Sequence, residues 1–121
     1  MQESNKIKSI EFELVSTISA FMKEKVGRGP RDIKIIFKDN MMVFFIYGIM
    51  SPLEKNLLSA EDGKDVLLSV RRLYLEVTKE ERLTSYEEIL NAKVEEHFEG
   101  WNFDTDAAVG VIVFDRNIEK Q

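Results

Sequence analysis

The stretch from Val26 to Asn56, VGRGPRDIKIIFKDNMMVFFIYGIMSPLEKN, decides the fold of the chain. It opens with a glycine-rich basic loop, continues through two apolar runs and closes with a helix start. Asp39 and Asn40 separate the two runs, and both residue types tolerate the left-handed backbone of a tight turn. The stretch therefore predicts a loop, an antiparallel β-hairpin and a helix, in that order.

The helix start is the most specific local signal in the chain. Ser51 suits the N-cap, and Pro52 suits the first helical position, where its missing N–H costs nothing. Glu54 follows the cap by three residues and completes a capping box. We therefore expect a helix to begin at this point.

The length of this central helical segment stays open. Asp62-Gly63 predicts a break or a kink, whereas the apolar spacing continues beyond it. Ser85 opens a second capping-box pattern that would restart the helix. One long helix to about Asn91 and a broken helix both fit the sequence.

One face of this segment is predicted to pack on the core. Val66, Val70, Leu73 and Val77 repeat at helical spacing along it, beside Leu67 and Tyr74. The charged runs Arg71-Arg72 and Lys79-Glu80-Glu81-Arg82 lie mostly off this stripe. We expect them to form a solvated face.

The first predicted helix, Ile7 to Val26, carries two apolar stripes that together span roughly 200° of its surface. One stripe covers the chain's own sheet. The second stripe needs another apolar surface to cover it and is the candidate oligomer interface. It consists of Phe12, Val15, Met22 and Val26. A homo-oligomer, with a dimer as the first expectation, accounts for it, and a helix sunk deeply in its own core is the alternative.

The loop after this helix combines structural and basic residues. Gly27 suits a left-handed C-cap, Gly29 adds flexibility, and Pro30 forbids continuation of the helix. The neighbouring Arg28 and Arg31, together with Lys55, are candidates for binding an anion or a partner. Ordinary basic complementation of a helix C-terminus is the structural alternative.

Two further strands are predicted near the end of the chain, at Lys93 to Phe103 and at Ala107 to Asp115. The last one is apolar on both faces, so helices on one side alone would leave an apolar face uncovered. The predicted fold is α+β: helix, β-hairpin, long or broken helical segment, β-hairpin. We expect a four-stranded antiparallel sheet with helices mainly on one face.

Composition excludes several classes of function. The 121 residues suit a single domain spanning 1–121, and a net charge of -5 argues against nucleic-acid binding. The absence of cysteine excludes thiol nucleophiles and cysteine metal sites. The apolar runs are shorter than the roughly 18 residues of a membrane span, so no direct membrane insertion is expected. We expect a cytoplasmic protein.

A catalytic constellation is not recognisable. His97 is the only histidine, and it is expected on the strand surface. Asp104 and Asp106 fit turn chemistry better than a calcium loop. We therefore expect no catalytic residues, no metal site, no cofactor and no enzymatic activity.

Several segments together carry a resemblance to a known family. They are Gly27–Arg31, the hairpin after it, Ser51–Leu58, Gly63–Arg72 and a closing valine-rich strand. With them the chain resembles, from about Ile7 to Phe114, the MpsC-like family of small prokaryotic proteins, named after a sodium-translocating, membrane-potential-generating system. Ser51 departs from the family's usual threonine at the cap, and serine caps equally well.

The resemblance implies a non-enzymatic accessory subunit of a membrane ion-translocating or inorganic-carbon-uptake system, placed at the periphery of a membrane complex. The alternative is an oligomeric sensor that binds a small anion near Arg28, Arg31 and Lys55. The first hypothesis requires a docking surface, and the second requires a ligand site.

Overall fold

Three helices and four strands follow one another in residues 2–119, the part described by the computed structural model, with side chains described from residue 6 onward. They are α1 (Gln2–Lys25), β1 (Asp32–Lys38), β2 (Met41–Tyr47), α2 (Pro52–Leu58), α3 (Gly63–Leu90), β3 (Val94–Asn102) and β4 (Ala107–Phe114). This order confirms the predicted α+β arrangement.

The four strands form one antiparallel sheet in the order β1-β2-β4-β3. The first hairpin turns at the predicted place, with Asp39 in the left-handed region at φ 54°. β2 is shorter than its apolar run because Gly48 adopts φ 75° and turns the chain at the end of the strand. Ile49 and Met50 leave the sheet but stay buried in the core.

All three helices lie on one face of the sheet, which we call the inner face. The core between them and the sheet takes side chains from α1, α3 and three strands. It includes Leu14, Ile18, Met22, Ile35, Met42, Phe44, Ile46, Leu67, Tyr86, Leu90, Ile112 and Phe114. The opposite face, called the outer sheet face, is covered by no helix of residues 2–119.

The central helical segment is broken at Gly63, where α3 begins after α2 has ended at Leu58. A Cβ atom at Gly63 would overlap the Leu57 carbonyl oxygen, so the close approach of the two helices requires glycine. Ser85 does not restart the helix. It lies inside the uninterrupted helix α3, where its hydroxyl donates to the Glu81 carbonyl. The helix ends at Asn91, which takes the left-handed C-cap conformation at φ 51°.

The capping box at the start of α2 is formed as predicted. The Ser51 hydroxyl accepts the Glu54 N–H at 3.3 Å, and the Glu54 carboxylate accepts the Ser51 N–H at 2.9 Å. Both bonds satisfy backbone donors that would otherwise have no partner at the helix N-terminus.

The prediction for the packing face of α3 was wrong for its four stripe residues, whereas Leu67 is buried and Tyr74 is half-buried. Val66, Val70, Leu73 and Val77 are exposed by 49%, 49%, 60% and 78%, respectively. The face that packs on the core is more polar and contains Leu67, Arg71, Thr78, Arg82, Tyr86 and Leu90. The helix turns Arg71 and Arg82 inward because each finds a buried acidic partner.

No helix of residues 2–119 is long and apolar enough to cross a membrane.

Candidate functional site

A cleft lies between α1, α3 and the inner face of the sheet. The volume of the cleft that the centres of water-sized molecules can reach is about 60 Å³. One water requires about 10–15 Å³ on the same measure, so the cleft offers several times that volume. Its walls are largely apolar and aromatic, and they also carry charged groups. The aromatic side chains are Phe21, Phe44, Tyr74, Tyr86 and Trp101, and the charged ones are Arg71, Arg82 and Glu99.

Arg71 ties α3 to the start of α2. Its Nε and Nη2 atoms donate to the two carboxylate oxygens of Glu54, both at 2.9 Å, and Nη2 also donates to the Ile49 carbonyl at 2.6 Å. Only 5% of the Arg71 side chain and 12% of the Glu54 side chain are exposed. Glu54 therefore serves as both a helix cap and the partner of a buried guanidinium.

Arg82 ties α3 to β3 in a similar way. Its Nη1 donates to Glu99 Oε1 at 2.6 Å, its Nε donates to the Thr78 hydroxyl at 2.9 Å, and its Nη2 donates to the Leu75 carbonyl at 2.9 Å. The side chains of Arg82 and Glu99 are only 6% and 9% exposed. The guanidinium is thus held by three acceptors at the wall of the cleft.

The aromatic groups of the cleft remain neutral. Burial raises the pKa of the Tyr86 hydroxyl far above its ordinary value, and the nearby Glu99 carboxylate raises it further. Burial likewise raises the pKa of Tyr74. The rings of Phe21 and Tyr74 pack at a centroid distance of 6.4 Å, as do those of Phe44 and Tyr86.

These features suit noncovalent binding. Each buried arginine has a carboxylate partner, and the described side chains of residues 6–119 contain no group of three or more His, Asp or Glu arranged to hold a metal ion. A small, mostly apolar or aromatic molecule with a few polar groups matches such a wall.

Sequence reasoning missed this cleft because Arg71 and Arg82 were expected on a solvated face. They lie eleven residues apart, which is about three helical turns and places them on the same face. That spacing was the feature of the sequence that could have indicated a shared position for the two arginines. Their partners, Glu54 and Glu99, come from distant segments and cannot be recognised from spacing alone.

His97 is also placed differently from the prediction. It lies on the inner face of β3 beside Ile112, and its Nδ1 atom is buried without a hydrogen-bond partner among the described residues. Phe98 takes the outward position instead and is 59% exposed. The inner face of β3 therefore carries the histidine and its outer face the phenylalanine.

The candidate anion-binding residues cluster only in part. Arg31 packs against Gly48, whose N–H donates to the Asp106 carbonyl, and the Lys55 Nζ lies 3.8 Å from the Asp106 carboxylate. That carboxylate also accepts the N–H groups of Ile49 and Met50. Arg31 and Lys55 thus lie at one end of the sheet, but Lys55 already has an acidic partner.

The other residues of the basic loop end helix α1 and lie wholly or partly at the surface. Gly27 adopts φ 94° immediately after α1, as a left-handed C-cap requires. Arg28 is exposed, while Gly29 and Pro30 are half-buried.

The candidate oligomer interface on α1 does not form one exposed stripe. Phe12 is 74% exposed, whereas Met22 is 6% exposed and belongs to the chain's own core. Val15 and Val26 are half-buried, and Val15 packs against that core. Met22 is therefore corrected from a surface residue to a core residue, because α1 is sunk more deeply than its two stripes suggested.

Two other apolar surfaces are uncovered. The first, which we call the α3 stripe, consists of Val66, Val70, Leu73 and Val77. The second is the outer sheet face, where Ile36 and Phe98 are 57% and 59% exposed and Phe45 is 38% exposed. Patches of this kind mark interaction sites more often than isolated exposed apolar residues do.

Comparisons with known proteins agree with the resemblance. Residues 6–116 match the family described as the Na+-translocating membrane potential-generating system (MpsC). The chain is similar to the uncharacterized protein YrhF of Bacillus subtilis (strain 168), with 30% identity over 110 residues, covering 90% of each chain. No solved structure matches the chain significantly.

Proposed function

The chain belongs to the MpsC family, and from this membership we propose that it is a non-enzymatic accessory subunit of a Na+-translocating, membrane-potential-generating system. In this role it docks on a membrane component from the cytoplasmic side.

The observation that carries the proposal is the exposed α3 stripe. Its positions follow the spacing i, i+4, i+7, i+11, which is the seam of a helix that packs along another helix. Core packing of residues 2–119 leaves all four side chains half-exposed or more. The stripe therefore favours a helical segment of a partner subunit as its occupant.

The energy of such a contact is modest. Burying the exposed part of each of the four side chains contributes about 1 kcal/mol, so one stripe contributes about 4 kcal/mol before the cost of association. Association itself costs about 4 kcal/mol or more, so the stripe alone does not hold the subunit, and the apolar side chains of the partner that it covers must contribute as well.

The test is the Na+-dependent membrane potential of the native host, followed with a voltage-sensitive dye. Deleting the gene is expected to lower the potential that Na+ supports, and the wild-type gene on a plasmid is expected to restore it. An unchanged potential in the deletion strain would contradict the proposed role.

A second candidate function, a small-molecule sensor, is favoured by one specific observation, the cleft. Two buried arginines and five aromatic rings line a cleft that the fold itself does not fill. The same function was expected at Arg28, Arg31 and Lys55, where anion binding stays a prediction.

Trp101 makes the sensor hypothesis easy to test, since it is the only tryptophan and it lines the cleft. A ligand of the cleft is expected to change the Trp101 emission and to raise Tm by several degrees, because it binds only the folded state. The measurement is a parallel fluorescence and thermal-shift screen against carboxylates, nucleotides and aromatic metabolites.

The control for this screen is Trp101→Phe. It should remove the emission change and keep the Tm shift of any true cleft ligand. If no compound changes either signal at millimolar concentration, the sensor hypothesis is wrong.

A further inference from the structure

The outer sheet face has an apolar centre and charged residues on its two edge strands. Its centre consists of the outward side chains of β2 and β4, which include Met41, Val43, Phe45, Val109, Val111 and Val113. On the edge strand β1 the outward residues are Asp32, Lys34, Ile36 and Lys38, and on the edge strand β3 they include Glu96 and Phe98. Lys38 and Glu96 have no ion-pair partner within the described residues, whereas Lys34 lies 5.8 Å from the Tyr47 ring.

The strand register places these residues in rows that run across the sheet. Lys38, Met41, Val113 and Glu96 form the first row, with the two opposite charges at its two ends. The second row contains Ile36, Val43, Val111 and Phe98, and the third contains Lys34, Phe45, Val109 and Gly100. Each row therefore has different chemistry at its β1 end and at its β3 end.

We propose that a second copy of this chain covers the outer sheet face, related to the first by a two-fold axis that runs along the strands. This rotation lays each row on its own copy in reversed order, as an isologous interface requires. Lys38 of one copy then lies opposite Glu96 of the other, and Ile36 lies opposite Phe98. Every such contact occurs twice.

The alternative two-fold axis, across the strands, gives a poorer fit. It would lay β1 on β1 and place Ile36 opposite Lys34 of the second copy. It would also place the exposed Phe98 ring opposite Gly100. This axis would pair Lys38 with Asp32 of the second copy, but it leaves Ile36 and Phe98 without apolar partners, whereas the axis along the strands joins these two side chains and also pairs Lys38 with Glu96.

A lipid surface fits this face less well than a second copy. Anionic membranes attract faces with clustered Lys and Arg, whereas here Lys34 and Lys38 are balanced by Asp32 and Glu96. The mixed edges are complementary to the same face after rotation, which is the property that a homodimer needs.

The size of the face sets the expected affinity. Four strands about 4.8 Å apart, with seven paired residues that rise about 3.3 Å each, cover roughly 440 Å² per copy. The total of roughly 900 Å² is below the standard size of a specific interface. We therefore expect a concentration-dependent dimer with a Kd on the order of micromolar to tens of micromolar.

The dimer leaves the docking surface free. Since all helices lie on the inner faces, the two sheets pack in the middle and the helices form the outer layers. Both α3 stripes remain exposed, so one dimer presents two docking sites and gains avidity on a membrane complex that carries two partners.

The test is sedimentation velocity of the purified protein from about one to several hundred micromolar. Each single variant, Lys38→Glu or Glu96→Lys, brings like charges together at both of the symmetry-related contacts between these two residues. Each is therefore expected to weaken the dimer and raise its Kd about tenfold. The double variant exchanges the charges and is expected to restore the wild-type Kd. Phe98→Thr is expected to weaken the Kd about tenfold by removing both contacts with Ile36.

The matched controls are Lys79→Glu and Glu80→Lys on the exposed surface of α3, which should leave the Kd unchanged. A wild-type chain that stays monomeric at several hundred micromolar overturns the proposal. Single variants without effect, or a double variant that fails to restore the Kd, overturn the proposed two-fold arrangement. Melting curves of dilute samples verify that each variant is folded.

Discussion

Replacing Glu99 with alanine is expected to destabilise the protein by about 3–5 kcal/mol, a large fraction of the stability of a domain of this size. The substitution leaves the Arg82 guanidinium buried while removing the carboxylate that accepts its Nη1 hydrogen bond at 2.6 Å. The other acceptors, Thr78 and Leu75, are neutral and do not compensate the charge. The measurement is urea unfolding followed by circular dichroism.

The control for Glu99→Ala is the double variant Arg82→Met with Glu99→Leu. It replaces the buried pair by apolar groups of similar size and is expected to recover most of the lost stability, because no unpaired charge remains. Glu81→Ala is the surface comparison. Its ion pair with Lys25 is long, at 3.9 Å, and largely exposed, so less than about 1 kcal/mol is expected.

A loss below about 1 kcal/mol for Glu99→Ala would mean that the Arg82 side chain escapes to water. The buried pair would then contribute little to holding α3 on β3. An equal loss in the double variant would mean that the shape of the cleft wall depends on the pair itself.

The largest functional effect is expected from lysine at two positions of the α3 stripe. Val70→Lys with Leu73→Lys should reduce the restored Na+-dependent membrane potential to the level of the deletion strain. The partner helix would have to bury two charged ammonium groups, each at a cost of several kcal/mol. The measurement is the same dye assay in the complemented deletion strain.

The fold should tolerate these substitutions. Val70 and Leu73 are 49% and 60% exposed, and lysine is a good helix former. Ser9→Lys with Ala20→Lys on the exposed surface of α1 adds the same charge and should leave the potential unchanged. If the stripe variant restores the potential fully, the stripe is not the docking surface.

The order of the elements could be predicted because local signals encode it. The turn at Asp39 and the cap at Ser51 each depend on backbone chemistry that a residue type reveals directly, whereas Asp62-Gly63 left the break in the central helix open. Apolar runs then mark the strands between these points. Such signals do not depend on what lies across the core.

Which side of α3 packs on the core could not be predicted, because it depends on residues that lie across the core. A stripe of valine and leucine is normally the buried one, and here Val66, Val70, Leu73 and Val77 face outward. The inward face holds two arginines whose burial is favourable only because Glu54 and Glu99 reach them from α2 and β3. Information of that kind exists only in the folded chain.

The same holds for His97 and Phe98. Alternation along a strand fixes two faces but does not say which one the helices cover. The register with β4 places His97 beside the buried Ile112, and Phe98 beside Val111 on the outer sheet face. The outward phenylalanine is what makes that face a candidate interface.

The most direct test of the proposed docking role is photo-cross-linking in the native host from a photoreactive amino acid at position 73, in the middle of the α3 stripe. The account predicts a cross-link to a membrane-embedded subunit of the Na+-translocating system. Position 79, exposed on the same helix but away from the stripe, should give none. Equal labelling from both positions, or no membrane protein captured from position 73, would contradict it.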